Sequence, residues 1–141
     1  MIIVPLSIFH YPYATPLLSN LTTAGQLPYR DYVEIIAKIK MNDNHQVFVC
    51  EINDIPAGII TLIIEQKLIH SGKCVGHIED LVVSPEFRSQ GVADKLIKHC
   101  VDLCKESNCY KVILDCKKEL IPFYNKNNFE EQGVCMRLSL T

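Results

Sequence analysis

The chain has 141 residues, of which 48% are hydrophobic and 21% charged, and its formal net charge at pH 7 is −2. These proportions suit one folded domain, which we expect to span residues 1–141. The weakly acidic balance offers no basic surface for nucleic acid. No apolar run is long enough to span a bilayer, so we expect no membrane partner.

The seven cysteines show neither Cys-x-x-Cys pairs nor the spacing of a zinc site. Cys100 and Cys104 lie one helical turn apart, and we interpret both as small core residues. The first residues lack the basic start of a secretory signal. We therefore expect reduced thiols, a cytoplasmic protein and no bound metal.

The N-terminal half predicts a strand, two helices and then antiparallel strands. Residues 2–8 predict an edge strand, where Pro5 is tolerated. Residues 11–21 predict a short helix, and a second helix follows Pro28. Residues 46–52 and 57–65 predict a hairpin around Asn53-Asp54, and a third strand, 75–83, follows a polar loop at 67–73.

The C-terminal half predicts alternating helices and strands. The predicted segments are an amphipathic helix at 92–108, a strand at Val112-Ile113-Leu114, a short helix at 120–126 and a final strand at 135–140. The apolar run at 112–114 is typical of a strand covered on both faces. The order predicts an α/β fold with a mixed central sheet flanked by helices, antiparallel in its N-terminal part and partly parallel in its C-terminal part.

The strongest chemical signal is Arg88-Ser89-Gln90-Gly91-Val92-Ala93, between a predicted strand and a predicted helix. The start of a helix presents unpaired N–H groups and positive potential, which suit a pyrophosphate. Gly91 allows the backbone to approach a phosphate, and the small Ala93 leaves the first turn uncrowded. Alone, so short a pattern indicates no more than an ordinary strand-to-helix turn.

This segment resembles the Arg/Gln-x-x-Gly-x-Gly/Ala motif with which the GNAT acetyltransferase superfamily binds the pyrophosphate of acetyl-CoA. Other segments resemble, in the same order and at compatible spacing, the glucosamine 6-phosphate N-acetyltransferase family. They are Leu21-Thr22-Thr23, Lys67-Leu68-Ile69-His70, the segments 76–83 and 108–116, and Phe123-Tyr124 with Phe129. The resemblance covers most of the chain from about Leu21 onward.

The resemblance implies the GNAT fold and a transfer of acetyl from acetyl-CoA to the amine of glucosamine 6-phosphate, within UDP-N-acetylglucosamine biosynthesis. It also implies a homodimer with substrate pockets at or near the subunit interface. The backbone of Leu81, Val82 and Val83 would hold the pantetheine arm, beside a splay that admits the thioester. The pyrophosphate would be held by Arg88, Ser89, Gln90, Gly91, Val92, Ala93 and Asp94.

By the same resemblance, Asp115 would lie near the acetyl group and Tyr124 would face the CoA sulfur. The residues implied to bind the sugar phosphate are Thr22, Thr23, Lys67, Leu68, Ile69, His70, Glu79, Asp80, Tyr110, Lys111 and Arg137. The candidate cations for its phosphate are Lys67, His70, Lys111 and Arg137. We interpret His77 as structural, bonded within its strand.

The chemistry of the reaction agrees with these roles. An amine attacks a thioester only as the free base, so the site must remove a proton and protonate the departing thiolate. Glu79, or a water that it holds, is the candidate base, and the Tyr124 phenol is the candidate acid. Outside this context Tyr124 would be read as a core aromatic residue. Glu79 and Asp80 are adjacent on a strand, so we expect them to point to opposite faces.

Some positions depart from the family pattern. Ser89 and Ala93 stand where relatives often have glycine, and Asn127-Asn128-Phe129 stands where Cys-Gly-Phe is common. Asn tolerates a left-handed backbone, so we expect that turn to survive. Arg137 is the candidate to replace a basic residue near the C-terminus of relatives.

Two alternatives stay open. The chain could be a GNAT enzyme that acetylates another small amine, such as a polyamine or an amino acid, or a non-catalytic acetyl-CoA-binding module. The basic residues of segments 67–70 and 110–111 disfavour a polyamine, because a polyamine pocket would need acidic groups. The presence of Tyr124 disfavours a module without catalysis.

Overall fold

The computed structural model describes all 141 residues and contains a five-stranded sheet with the strand order β1-β2-β3-β4-β5. The strands are β1 (Ile2–Pro5), β2 (His45–Ile52), β3 (Ile55–Gln66), β4 (Cys74–Val83) and β5 (Cys109–Ile113). The pairs from β1 to β4 are antiparallel, and β4 pairs with β5 in parallel. The mixed sheet predicted from the sequence is thus confirmed.

Helices cover both faces of this sheet. They are α1 (Tyr11–Leu18), α2 (Tyr29–Lys40), the distorted turn α3 (Ile69–Gly72), α4 (Val92–Glu106) and α5 (Ile121–Lys126). On one face, Leu17 of α1 packs with Val49, Ile59 and Val82 of the sheet. None of the helices combines the length and the apolar character that a bilayer crossing needs.

The other face packs on α4, the longest helix. Its apolar residues recur at helical spacing, and Leu96, Cys100 and Cys104 are at most 1% exposed against the sheet. Burial raises the pKa of the thiols of Cys100 and Cys104 to about 12, so both stay protonated. A side chain at Gly76 would collide with the sulfur of Cys104, so glycine is what lets the helix approach β4. The interpretation of both cysteines as core residues is confirmed.

A β-bulge interrupts β4 at Asp80, whose φ is 50°. Between the pairs that Glu79 and Val82 make with β3, two residues of β4 oppose one of β3. The extra residue reverses the alternation, so that Ile78 before the bulge and Leu81 after it both pack against the α4 core. Glu79 and Asp80 lie at this irregularity and are both exposed. That the two side chains point to opposite faces stays a prediction.

The structure contradicts two predictions about the C-terminal strands. Residues 135–140 form no strand and are fully exposed, because no neighbouring strand of this chain pairs with them. Strand β5 is not covered on both faces, and Ile113 is 40% exposed. Cys109 and Val112 of β5 pack against the core that α4 covers, whereas Lys111 and Ile113 are exposed.

Candidate active site

The strands β4 and β5 part halfway along β4. Their last register pair joins His77 to Ile113, after which β4 continues to Val83 and β5 ends. Backbone N–H and C=O groups of Leu81, Val82 and Val83 on the β5 side therefore have no partner strand, and such groups need one. The structure has the splay that the sequence resemblance implied, beside the residues that it assigned to the pantetheine arm.

The turn before α4 lies beyond the end of β4. Ser89 and Gly91 have φ of 63° and 83°, and both are exposed. Gly91 is the N-cap of α4 and no side chain caps the helix, so its first N–H groups are available to a ligand. Arg88, Gln90 and Asp94 are exposed around this turn, whereas Val92 is buried beneath it. The turn therefore has the geometry of an anion site at a helix N-terminus.

Three carboxylates gather where the strands part. Partial desolvation raises the pKa of Glu79, and the negative charges of Asp115 and Asp80 raise it further, against the opposing charge of His77. Asp115 follows the end of β5, and its Oδ2 accepts a hydrogen bond of 3.3 Å from the Cys135 sulfur. A carboxylate with a raised pKa binds a proton more readily, which suits a general base.

Tyr124 lies on α5 and is 9% exposed. Its ring packs edge-on against Phe123 and Phe129, with centroid distances of 5.0 and 5.9 Å. Burial raises the pKa of the phenol, and the neighbouring thiol of Cys116, directly after Asp115, raises it further. The hydroxyl therefore keeps its proton and stands near the segment that carries Asp115. The residue belongs to the core and can still act as a proton donor.

A basic and aromatic cluster lies at the opposite end of β4 and β5. His70 stacks on Tyr110 with ring centroids 3.9 Å apart, and the Lys111 ammonium lies 5.5 Å from the same ring. Lys111 pairs with Val75, which precedes Glu79 by four residues on β4. At about 3.3 Å per residue, roughly 13 Å of strand separates the two positions. Within one chain, the cluster is therefore remote from Glu79.

Lys67 is engaged by a carboxylate that the sequence interpretation did not include. The Lys67 ammonium lies 3.0 Å from Glu65, and the ring of His77 lies 2.9 Å from the other oxygen of the same carboxylate. Both contacts hold the pKa of Glu65 below its usual value. His77 thus makes a structural contact, as expected, but with the adjacent strand β3 rather than within its own strand. To contact a phosphate, the Lys67 ammonium must break its ion pair with Glu65 or contact both anions at once.

The remaining predicted sugar-site residues are exposed. Thr22 and Thr23 are exposed between α1 and α2, and Leu68 and Ile69 are 98% and 58% exposed. Arg137 is exposed in the C-terminal segment. The side chains of Thr22, Thr23 and Arg137 make no hydrogen bond or ion pair within the chain.

The structure also places three residues at the site that sequence reasoning missed. Besides Glu65, they are Cys135, which contacts Asp115, and Asn127, which donates to Asp94. Only for Glu65 was there a signal, since it ends the predicted strand two residues before Lys67, and alternate residues of an extended chain share a face. No three of the His, Cys, Asp and Glu side chains come together as a metal-binding group.

Comparisons with known proteins agree with this geometry. The model of the acetyltransferase (GNAT) family matches residues 14–129. The chain is 33% identical to a glucosamine 6-phosphate N-acetyltransferase of Arabidopsis thaliana, over 85% of this chain and 83% of the relative. It is 32% identical to the Candida albicans enzyme of that name, over 84% and 81%. The crystal structure of glucosamine-6-phosphate N-acetyltransferase from Arabidopsis thaliana superposes with a TM-score of 0.94 at 30% identity, covering 99% of this chain and 98% of that one.

The fold and the site define a GNAT acetyltransferase, a class that uses acetyl-CoA as co-substrate. Within that class, the chain belongs to the family of glucosamine 6-phosphate N-acetyltransferases.

The turn before α4 predicts a specific effect of substitution. Gly91→Ala should weaken acetyl-CoA binding by roughly tenfold or more, because its Cβ would project into the open space where a pyrophosphate meets the backbone. Gly25→Ala is the matched control, since Gly25 also has positive φ and no atom within 4 Å of an added Cβ. Both variants should lose about 1–2 kcal/mol of stability to the left-handed backbone. Titration calorimetry and thermal melting measure the two effects. Equal acetyl-CoA affinity in both variants would exclude this turn from the cofactor site.

Proposed function

We propose that this chain transfers the acetyl group of acetyl-CoA to the amine of glucosamine 6-phosphate, releasing CoA and N-acetylglucosamine 6-phosphate for UDP-N-acetylglucosamine synthesis. The observation that supports the proposal is that Glu79 lies near Asp115 where β4 and β5 part, and that Tyr124 lies near Cys116, the residue after Asp115. The uncapped start of α4 lies beyond the same end of β4 and supplies an anion site for the cofactor.

The residues divide the proton transfers between them. Glu79, or a water bound to it, takes a proton from the sugar ammonium, and the free amine forms the C–N bond to the thioester carbon. Unpaired backbone N–H groups near Val82 stabilise the oxyanion. The C–S bond then breaks, Tyr124 gives its proton to the thiolate, and the nitrogen releases its second proton. Solvent takes up the second nitrogen proton and the proton held by Glu79 and returns one to Tyr124, so the balance is one amide, one CoA thiol and one proton released. No covalent enzyme intermediate is needed.

The substrate is tested by following CoA thiol release with different acceptors. We expect turnover with glucosamine 6-phosphate, and a much lower kcat/KM with unphosphorylated glucosamine, because the phosphate provides charge-assisted hydrogen bonds. A polyamine should be a poor acceptor. Equal kcat/KM for both sugars would contradict the phosphate requirement. Thermal stabilisation by acetyl-CoA without any thiol release would indicate a binding module.

Replacing Tyr124 by Phe tests the proton donor. The substitution removes one hydroxyl and keeps the ring, so kcat should fall by roughly a hundredfold, at the low end for lost proton transfer. Thiolate is a tolerable leaving group, which limits the loss. Both Michaelis constants should change little, because the hydroxyl acts mainly in the transition state.

Tyr32→Phe is the matched control for that variant. Tyr32 is also buried, burial raises the pKa of its phenol to about 12, and its hydroxyl donates to the Ser7 carbonyl at 2.7 Å. Its removal should cost about 1 kcal/mol of stability and leave kcat unchanged. A normal kcat for Tyr124→Phe, with chemistry rate-limiting, would leave Tyr124 as a packing residue.

The pH dependence of kcat/KM tests Glu79. A base must be deprotonated to act, so activity falls as the pH drops through its pKa in the folded protein. Because the pKa of Glu79 is raised, this acid limb should lie above the usual carboxylate range. Glu79→Gln should lower kcat/KM and abolish the limb. Asp80→Asn removes one charge that raises the pKa, so it should move the limb to lower pH. A limb that survives in Glu79→Gln would assign it to another group.

We infer that the active enzyme is a homodimer in which each pocket takes residues from both chains. The acidic groups near Glu79 and the basic cluster near Lys111 are separated by roughly 13 Å of strand, more than one sugar phosphate can bridge. The substrate has a cationic amine and an anionic phosphate, which complement these two ends. A second copy that presents its basic cluster to the acidic end would complete the pocket.

The C-terminal segment supports the same assembly. Alternate apolar residues are almost fully exposed, namely Val134 at 89%, Met136 at 91%, Leu138 at 85% and Leu140 at 89%. Strand β5 is an edge of the sheet with one unpaired side. An alternating segment of this type gains stability by joining a sheet edge. We propose that the segment pairs with a second copy of the chain.

Mixing two defective variants tests the shared pocket. In a heterodimer of Tyr124→Phe and Lys111→Ala subunits, one pocket would receive both intact residues and the other would receive neither. Random reassociation makes about half of the dimers mixed, so roughly a quarter of normal activity should return at low sugar phosphate. Activity equal to the mean of the separate variants would show that Tyr124 and Lys111 act within one chain.

We place this reaction in the cytoplasm. All seven cysteines are free thiols, and two of them, Cys116 and Cys135, are exposed. Exposed thiols persist where glutathione and thioredoxin keep them reduced.

A further inference from the structure

One amide side chain fastens the helix that carries Tyr124 to the helix that starts at the cofactor turn. The Asn127 Nδ2 donates to Asp94 Oδ1 at 2.9 Å, between positions that are 33 residues apart in the chain. The same nitrogen donates to the Phe123 carbonyl at 3.2 Å. An asparagine amide has two N–H donors, and both are used here. These two hydrogen bonds are called the Asn127 clamp below.

The clamp joins the two ends of the proposed cofactor site. Asp94 lies in the first turn of α4, directly after the turn at Gly91, and Phe123 precedes Tyr124 on α5. No other side-chain hydrogen bond connects these two helices. Asn127 is therefore the one side chain whose hydrogen bonds help to fix the distance between the pyrophosphate turn and the Tyr124 hydroxyl.

α5 needs such an anchor because it has only six residues. An isolated helix of this length is not stable in water. The ring of Tyr124 packs against Phe123 and Phe129, but apolar contacts are non-directional and do not define one orientation. The carbonyl of Tyr124 accepts from the N–H groups of Asn127 and Phe129, each at 3.0 Å, which closes the turn after α5. Asn127 thus ties that closed turn to α4.

From this geometry we propose that Asn127 is a positioning residue, which sets the Tyr124 hydroxyl at the distance from the CoA sulfur that proton transfer requires. The inference rests on the proposed function of Tyr124 and adds how its placement is achieved. A proton donor acts only within hydrogen-bond reach, so a small displacement of α5 lowers turnover more than it lowers cofactor binding.

The test begins with Asn127→Asp, which keeps the size of the side chain, removes both donors and places a second carboxylate beside Asp94. We expect kcat to fall about tenfold, with the KM for acetyl-CoA within about twofold of normal. Asn125→Asp is the control, because Asn125 is exposed on the same helix and makes no side-chain hydrogen bond. It introduces the same charge and should leave kcat unchanged.

A reciprocal exchange separates positioning from general damage to the fold. In Asp94→Asn with Asn127→Asp, the amide and the carboxylate change places, and the bond between the helices is restored with reversed polarity. We expect this double variant to regain most of the lost kcat. If thermal melting shows that Asn127→Asp is unfolded, the kcat of Asn127→Ala is compared with that of the reciprocal variant instead.

Combining Asn127→Asp with Tyr124→Phe tests whether Asn127 affects kcat through the Tyr124 hydroxyl. If Asn127 acts through the Tyr124 hydroxyl, Asn127→Asp should cost nothing further once that hydroxyl is gone, so the two losses are not additive. Additive losses, a normal kcat in Asn127→Asp, or no recovery on exchange would each overturn the proposal. A normal kcat in Tyr124→Phe would instead refute the donor role itself, and the clamp's function with it.

Discussion

The parting of β4 from β5 is the constraint on which the rest of the site depends. A strand inside a sheet satisfies its backbone groups on both sides, and β4 loses one neighbour beyond His77. The unpaired groups need water or a ligand, and the pantetheine arm of acetyl-CoA can supply amide partners to them. The divergence also leads the chain after β5 to Asp115 and then to α5. One topological feature therefore opens a groove beside β4 and leads the chain to Asp115 and to the helix that carries Tyr124.

The bulge at Asp80 adds a second constraint at the same place. It reverses the alternation of β4, so that side chains of both Glu79 and Asp80 reach the exposed region while Val82 packs on the α1 side. Regular alternation is the assumption behind any assignment of faces from sequence. A bulge with a non-glycine residue at positive φ leaves no clear mark in the sequence, so spacing alone does not assign the faces of Glu79 and Asp80.

Predictions succeeded where the information was local. The strands of the hairpin and the apolar periodicity of α4 were confirmed, as was the left-handed Asn128 with φ of 68°. They failed where a residue's state depends on a partner that the sequence does not specify. Residues 135–140 alternate like a strand, but a strand exists only when another strand pairs with it. The contacts of Glu65 with His77 and of Asn127 with Asp94 likewise depend on register and helix packing, which spacing alone does not reveal.

The electrostatics of the site follow the charges of the substrate. The carboxylates of Asp80 and Asp115 raise the pKa of Glu79, and they also favour a bound ammonium. An incoming amine with its positive charge would lower the pKa of Glu79 again, so entry of the substrate opposes the shift that the carboxylates create. Once the ammonium gives up its proton, that compensation disappears, and the acidic cluster favours a protonated Glu79. In the proposed mechanism, the same three carboxylates would therefore attract the charged amine and retain its proton after transfer.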